Sequence, residues 1–166
     1  MSMETPMRSF APLGSDAVVE DIVRRFRDRT LPREAWTHQA HLAVGLWHVL
    51  HHGEDAALAM LRAGIAAYNE AVGVPNSDTR GYHETVTRYY AWAAARFLER
   101  AGGGGLAALV DRFVGSRLGS KEGIFAFWSR ERLLSVGARR GWAPPDLAAL
   151  DPAVLDGAVD AGQGAT

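Results

Sequence analysis

The 166-residue chain contains no cysteine. This absence excludes disulfides, thiolate metal sites, iron–sulfur clusters and cysteine nucleophiles, so any metal ion has to be held by histidine, carboxylate or amide side chains. An excess of one charge is also missing, because 18 lysines and arginines face 19 aspartates and glutamates. Without an overall positive field, the protein is not expected to bind nucleic acid.

Long apolar runs are missing as well. The longest run, residues 42–50, already contains His48 and is far shorter than the 18 or so residues that cross a bilayer. Residues 1–14 lack the continuous apolar segment of a secretory signal. We therefore expect a cytoplasmic protein with no membrane partner.

Helical periodicity recurs along the chain, whereas the strict alternation typical of strands is almost absent. We predict an all-α fold, a single irregular bundle of five to seven helices. The helical domain spans residues 15–150, between a flexible N-terminal lead (1–14) and a largely disordered tail (151–166). The 48% hydrophobic content suffices for one core and is compatible with a homodimer.

Histidine is the residue type whose placement points to a site, since all six lie between positions 38 and 83. His38 and His41 are three residues apart, so on a helix both imidazoles face the same side. His83 begins the apolar stripe of a later helix, and facing helices of bundles commonly supply metal ligands. We predict that His38, His41 and His83, with Glu34 one helical turn earlier, bind a divalent transition metal such as Zn, Fe or Mn.

Glu84 follows His83 directly and is a candidate metal ligand or general base on a metal-bound water. Together with His83 and Tyr82 it forms the predicted catalytic group. The alternative for Glu84 is a helical ion pair with Arg88, four residues later. The zinc-protease pattern His-Glu-x-x-His is excluded, because Thr87 stands at its fifth position.

Four ordered sequence blocks resemble those of a bacterial family of small, uncharacterised helical proteins. They are Trp-Thr-His-Gln-Ala-His-Leu at 36–42, Tyr-Asn with later Gly and Asn at 68–76, Gly-Tyr-His-Glu-Thr-Val-Thr at 81–87, and a Ser, Glu, Leu and Trp pattern at 129–147. The resemblance implies a common fold and a common site at His38, His41, His83 and Glu84. It implies no particular reaction.

The same blocks contain residues that we predict to bind substrate. Asn69 and Asn76 can orient a ligand by hydrogen bonds, Arg139 can clamp a carboxylate or phosphate, and Trp36 can line a pocket. The alternative for most of these polar residues is a role in capping and loop structure.

These patterns favour a metal-dependent enzyme that acts on a small polar molecule by hydrolysis or elimination, with redox chemistry at the metal as a variant. Two alternatives stay open. One is a non-catalytic helical module that binds a small molecule or a protein partner in a pocket lined by tryptophan and tyrosine. The other is a metal-free enzyme that uses His83 and Glu84 as an acid–base pair.

Overall fold

The computed structural model describes residues 12–160, and the side chains of residues 12–156. This part of the chain contains helices and no strand, which confirms the all-α bundle. The helices are α1 (Asp16–Arg27), α2 (His38–His52), α3 (Glu54–Ala71), α4 (Glu84–Arg100), α5 (Leu106–Gly115), α6 (Arg130–Leu133), α7 (Val136–Arg140) and α8 (Pro152–Asp160). Short 3₁₀ turns at Arg33–Ala35 and Gly123–Ala126 complete the described elements.

Helix α2 is the centre of the bundle and packs against α1, α3, α4 and α5. Its apolar residues point in all directions, and Leu42, Ala43, Val44 and Leu46 are all buried. The helix begins at Thr37, whose hydroxyl accepts a hydrogen bond from the backbone N–H of Ala40 at 3.2 Å. Because four other helices pack against α2, the backbone of α2 and the side chains that it carries are held in place.

Two apolar clusters hold the bundle together. The larger lies between α2, α4, α5 and the segment after α5, and contains the fully buried Tyr89, Phe113 and Trp128. The smaller joins α1, α2 and α3 around Phe26 and Tyr68. Within residues 12–160, no helix has both the length and the apolar character that crossing a membrane requires.

The C-terminal boundary differs from the sequence prediction. Helix α8 follows residue 150, and Leu155 is 4% exposed and belongs to the larger core cluster. Arg117 also donates a 2.8 Å hydrogen bond to the carbonyl of Leu155. The prediction of a largely disordered tail from residue 151 is therefore wrong as far as residue 160, because burial of Leu155 stabilises this helix. Residues 161–166 lie outside the described part.

The N-terminal lead is only partly described, since residues 1–11 lie outside the described range. Residues 12–14 are not helical, as expected. Leu13 nevertheless packs against the larger core cluster, and its N–H donates to the Asp111 carboxylate at 3.3 Å. The domain therefore starts slightly before the predicted residue 15.

Candidate functional site

Two adjoining cavities open between α2, α3 and α4. The first, of about 290 Å³, is mostly apolar and is lined by His38, Leu42, Leu61 and Tyr90 among others. The second, of about 330 Å³, is lined by Arg33, Trp36, Asn69, Tyr82 and His83 among others. Four residues belong to both linings, namely His41, Ile65, Val86 and Thr87. The two cavities therefore form one continuous groove, which we call the histidine groove.

His41 lies at the junction of the two cavities. Its Nδ1 lies 2.8 Å from the carbonyl of Thr37, so Nδ1 carries the proton and donates it. The ring packs beside Trp36 with 3.7 Å between ring centroids. Nε2 therefore carries the lone pair, and it has no hydrogen-bond partner among the described residues.

The His41 ring is neutral at physiological pH. Protein atoms packed around the ring lower its pKa to about 4, although the residue keeps part of its surface exposed to solvent. The Thr37 carbonyl opposes this shift, whereas the nearby His38 and Lys121 add to it. His41 is therefore a hydrogen-bond acceptor in the groove and not a cation.

His38 lies one turn away on the same face of α2. Its Nε2 donates to the carbonyl of Gly119 at 2.8 Å, and the ring meets Tyr90 edge to face. Burial lowers the pKa of His38, so this imidazole is also neutral. Its Nδ1 keeps a lone pair with no partner in the described part of the chain.

His83 has both ring nitrogens occupied. Nδ1 accepts the backbone N–H of Val86 at 3.2 Å, which caps the N-terminus of α4, and Nε2 donates to the carbonyl of Leu133 at 2.8 Å. Burial lowers the pKa of His83, which keeps Nδ1 available as the cap acceptor. The imidazole therefore ties α4 to α6 and has no lone pair left for a metal ion.

The predicted four-residue metal centre is not brought together. His38 and His41 line one cavity, but His83 is a helix cap and Glu34 lies on the exposed 3₁₀ turn before α2. Between residues 12 and 160, no three histidine, aspartate or glutamate side chains are grouped so that they could hold one ion. The three-residue spacing of His38 and His41 predicted that they share a helix face, but nothing in the sequence indicated that His83 caps α4.

Glu84 is held in an ion pair and not presented to the groove. Arg62 donates from Nε to Oε2 at 3.0 Å and from Nη2 to Oε1, and the Tyr82 hydroxyl donates to Oε2. The hydrogen bonds from Arg62, and to a smaller extent the one from Tyr82, lower the pKa of the Glu84 carboxyl group. Burial and the hydrogen bond to Glu84 raise the pKa of the Tyr82 hydroxyl. The expected ion-pair partner was Arg88, but Arg88 stacks on Trp142 at 4.3 Å.

Three of the predicted substrate-binding residues, Asn69, Asn76 and Arg139, make hydrogen bonds that hold the loop between α3 and α4. The Asn76 side-chain oxygen accepts from Asn69 and from the N–H of Tyr82, both at 3.0 Å, while its amide donates to the carbonyl of Ala66. Arg139 donates to the carbonyl of Gly81 at 3.0 Å. Asn76 and Arg139 are therefore scaffold residues, and the capping and loop interpretation fits them better than ligand binding.

Trp36 and Asn69 do line the second cavity. Two further groove residues, Arg33 and Thr87, were not among the predicted site residues, whereas Tyr90 is one of the tyrosines expected to line a pocket. Tyr90 lies four residues from Val86, and Thr87 lies four residues from His83, so helical spacing places each on the same face as its partner. Arg33 carried no such signal, because the turn at Arg33–Ala35 interrupts the helical register before α2.

No protein-family model, curated protein or solved structure matches the chain. The family resemblance of its sequence blocks therefore stays a prediction. What can be inferred about function rests on the histidine groove and on His38 and His41, the two of its three histidines that keep a ring nitrogen without a partner among the described residues.

Proposed function

We propose that this protein binds a small molecule in the histidine groove and recognises it through a hydrogen bond to Nε2 of His41. The observation that carries this proposal is the unpartnered lone pair of a neutral His41 at the junction of both cavities. An acceptor without a protein partner at this junction is available to a ligand donor, and a hydrogen bond to it adds to the contacts that the apolar walls make with the ligand. The ligand therefore carries an O–H or N–H group.

The lining of the first cavity defines the rest of the ligand. Leu42, Leu61, Ile65 and Val86 offer apolar surface, whereas the polar groups are few. Volumes of about 290 and 330 Å³ are at the lower end of small-molecule sites. The size and lining favour a compact molecule with an apolar body, such as one aromatic ring, over the small polar substrate that the sequence suggested.

The protonation of the groove favours binding over acid–base catalysis. A general base works best with a pKa near 7, whereas the pKa of His41 is about 4. The pair expected for a metal-free enzyme, His83 and Glu84, is committed to a helix cap and to Arg62. These contacts support the non-catalytic binding module among the alternatives.

A metal-dependent enzyme is the second candidate, because His38 and His41 each keep one free ring nitrogen beside the same cavity. A Zn, Fe or Mn ion there would have two protein ligands, whereas catalytic zinc sites usually have three. Elemental analysis of untagged protein after incubation with each metal tests this candidate. A stoichiometric ion that His38→Ala and His41→Ala both remove would establish it and displace the binding module.

The binding proposal is tested with two probes that share one body. The phenol O–H of 4-ethylphenol is a donor, whereas 4-ethylanisole has the same ring and no donor. We expect 4-ethylphenol to bind more tightly and to shift the NMR signal of the Trp36 indole N–H. His41→Phe should weaken 4-ethylphenol by about threefold to tenfold, the factor of one net hydrogen bond, and leave 4-ethylanisole unchanged.

His52→Phe is the matched control, since His52 lies exposed at the far end of α2 and outside the groove. It should leave the affinity for both probes as in the wild type. If neither probe shifts the Trp36 signal, or if His41→Phe weakens both probes equally, then His41 does not recognise a donor and the proposal fails.

A further inference from the structure

Arg33 lines the second cavity of the histidine groove and lies on the exposed turn before α2. Its guanidinium takes part in none of the ion pairs formed within the described residues. It also donates none of the side-chain hydrogen bonds found there. An arginine with five donors and no partner beside a cavity is available to a ligand.

Arg33 is also the charged group of the groove. No aspartate or glutamate is among the described lining residues of either cavity. The histidines that line the groove are neutral because burial lowers the pKa of each, and burial keeps the hydroxyls of Tyr82 and Tyr90 protonated. Glu34, which follows Arg33 in the sequence, does not line the groove, and Glu84, which accepts from the hydroxyl of the lining residue Tyr82, is paired with Arg62.

The groove is therefore polarised along its length. The end at Leu42 and Leu61 is apolar, His41 at the junction offers an acceptor, and Arg33 at the other end offers a positive charge. A ligand that satisfies all three places has an apolar body, a hydrogen-bond donor and an anionic group.

Building on the binding function proposed above, we infer that the ligand is a small organic monocarboxylate whose carboxylate pairs with Arg33. The planar guanidinium matches a carboxylate with two parallel hydrogen bonds. A phosphate monoester carries close to two negative charges at neutral pH, and Arg33 is the one cationic side chain among the described lining residues of the groove. Pairing with Arg33 would leave the second charge without a cationic partner among these lining residues, so the single charge of a carboxylate matches Arg33 better.

The test compares 4-ethylphenol with (5-ethyl-2-hydroxyphenyl)acetate, which adds a carboxylate beside the hydroxyl of the same body, so that the hydroxyl can reach His41 while the carboxylate points toward Arg33. We expect the carboxylate to bind about fivefold to thirtyfold more tightly in low salt, by NMR titration of the folded full chain. Arg33→Gln should remove this gain and leave the affinity for 4-ethylphenol unchanged. Arg33→Lys keeps the charge without the planar fork, so it should keep part of the gain.

Arg130→Gln is the control for a general loss of positive charge, because Arg130 is exposed and stacks on Phe125 away from the groove. It should leave the affinities for both probes unchanged.

A second readout separates pairing with Arg33 in the groove from nonspecific electrostatic attraction to the protein surface. The bound carboxylate should raise the pKa of His41, whereas 4-ethylphenol should not.

The outcomes separate this inference from the function on which it rests. If 4-ethylphenol binds through His41 but the carboxylate gains nothing, the carboxylate inference fails and the binding function stands. If 2-(5-ethyl-2-hydroxyphenyl)ethyl phosphate, which keeps the phenol O–H, binds more tightly than the carboxylate, the ligand class is wrong. If no probe shifts the Trp36 signal, the binding function itself fails.

Discussion

Arg62 on α3 donates hydrogen bonds to both carboxylate oxygens of Glu84 at the start of α4, although the two residues are 22 positions apart in the sequence. The Glu84 side chain is 9% exposed and that of Arg62 is 49% exposed. The pair joins α3 to α4 and also holds the hydroxyl of Tyr82, which lines the histidine groove. Because Arg62 and Tyr82 bind its carboxylate, Glu84 has a structural role, although its position next to His83 suggested a catalytic one.

Replacing Glu84 should destabilise the fold. Glu84→Gln keeps the shape of the side chain but removes the charge that Arg62 and Tyr82 bind, and we expect a loss of about 1–3 kcal/mol in the free energy of unfolding. Urea denaturation at pH 7 measures this loss. Glu99→Gln is the control, since the ion pair of Glu99 with Arg96 is more exposed, and it should cost about 0.5 kcal/mol or less. Equal losses for both variants would contradict the role given to Arg62.

Stability should fall as the pH drops below about 6.5. Burial lowers the folded-state pKa of His38, His41, His48 and His83 from 6.5, and that of His41 to about 4. Between 6.5 and the folded-state pKa values, the unfolded chain binds more protons than the folded protein, so acid favours unfolding. The stability contributed by neutral histidines is complete above pH 6.5 and is lost progressively below it.

His83→Asn tests one part of this pH dependence. Asparagine is a good helix cap but does not titrate, so the variant should lose less stability than the wild type between pH 7 and pH 5. Urea midpoints at several pH values give the two slopes. Unchanged slopes would show that His83 does not have a lowered pKa in the folded protein.

Gly81 should tolerate no side chain. Its φ is +80°, and a Cβ there would lie 2.5 Å from the carbonyl oxygen of Pro75 and 2.6 Å from the side-chain oxygen of Asn76. Gly73 has a similar φ of +78° but nothing within 4 Å of its Cβ position. We expect Gly73→Ala to cost about 1 kcal/mol for the backbone alone and Gly81→Ala clearly more. Thermal unfolding of both variants separates the steric clash from backbone strain.

Leu155 should contribute to stability as a core residue. Leu155→Ala leaves a cavity beneath α8, and we expect a loss of about 2–3 kcal/mol. Leu147→Ala is the control because Leu147 is 58% exposed, and it should change stability by less than about 0.5 kcal/mol. If the two variants unfold at the same urea concentration, α8 does not pack on the core as described.

The tautomer of His41 can be observed directly. The hydrogen bond to Thr37 requires a proton on Nδ1 and leaves Nε2 bare. NMR spectra of ¹⁵N-labelled histidine should therefore show the Nδ1–H form for His41, and this form should persist down to about pH 5 because its pKa is about 4. An Nε2–H form would remove the acceptor that the proposed function needs.

Local sequence signals were sufficient for the helices and for one part of the site. Thr37 caps α2 as its residue type suggests, Gly53 with φ +81° ends that helix, and the apolar run 42–50 became the central helix. The three-residue spacing of His38 and His41 places both on one cavity. These features depend on residues within one or two helical turns, where spacing and propensity act.

Long-range contacts, in contrast, set the roles of the polar residues. The partner of His83 is 50 residues away and that of His38 is 81 residues away, and no spacing along the chain predicts either. An unsatisfied polar group takes whichever donor or acceptor the packing brings near, so His83 is fixed by the distant carbonyl of Leu133, whereas the ring of His41 bonds to Thr37, four residues away. The residues of this chain thus specify an all-α bundle with a histidine-bearing helix face, and the packing of α2 against α3 and α4 makes that face a groove.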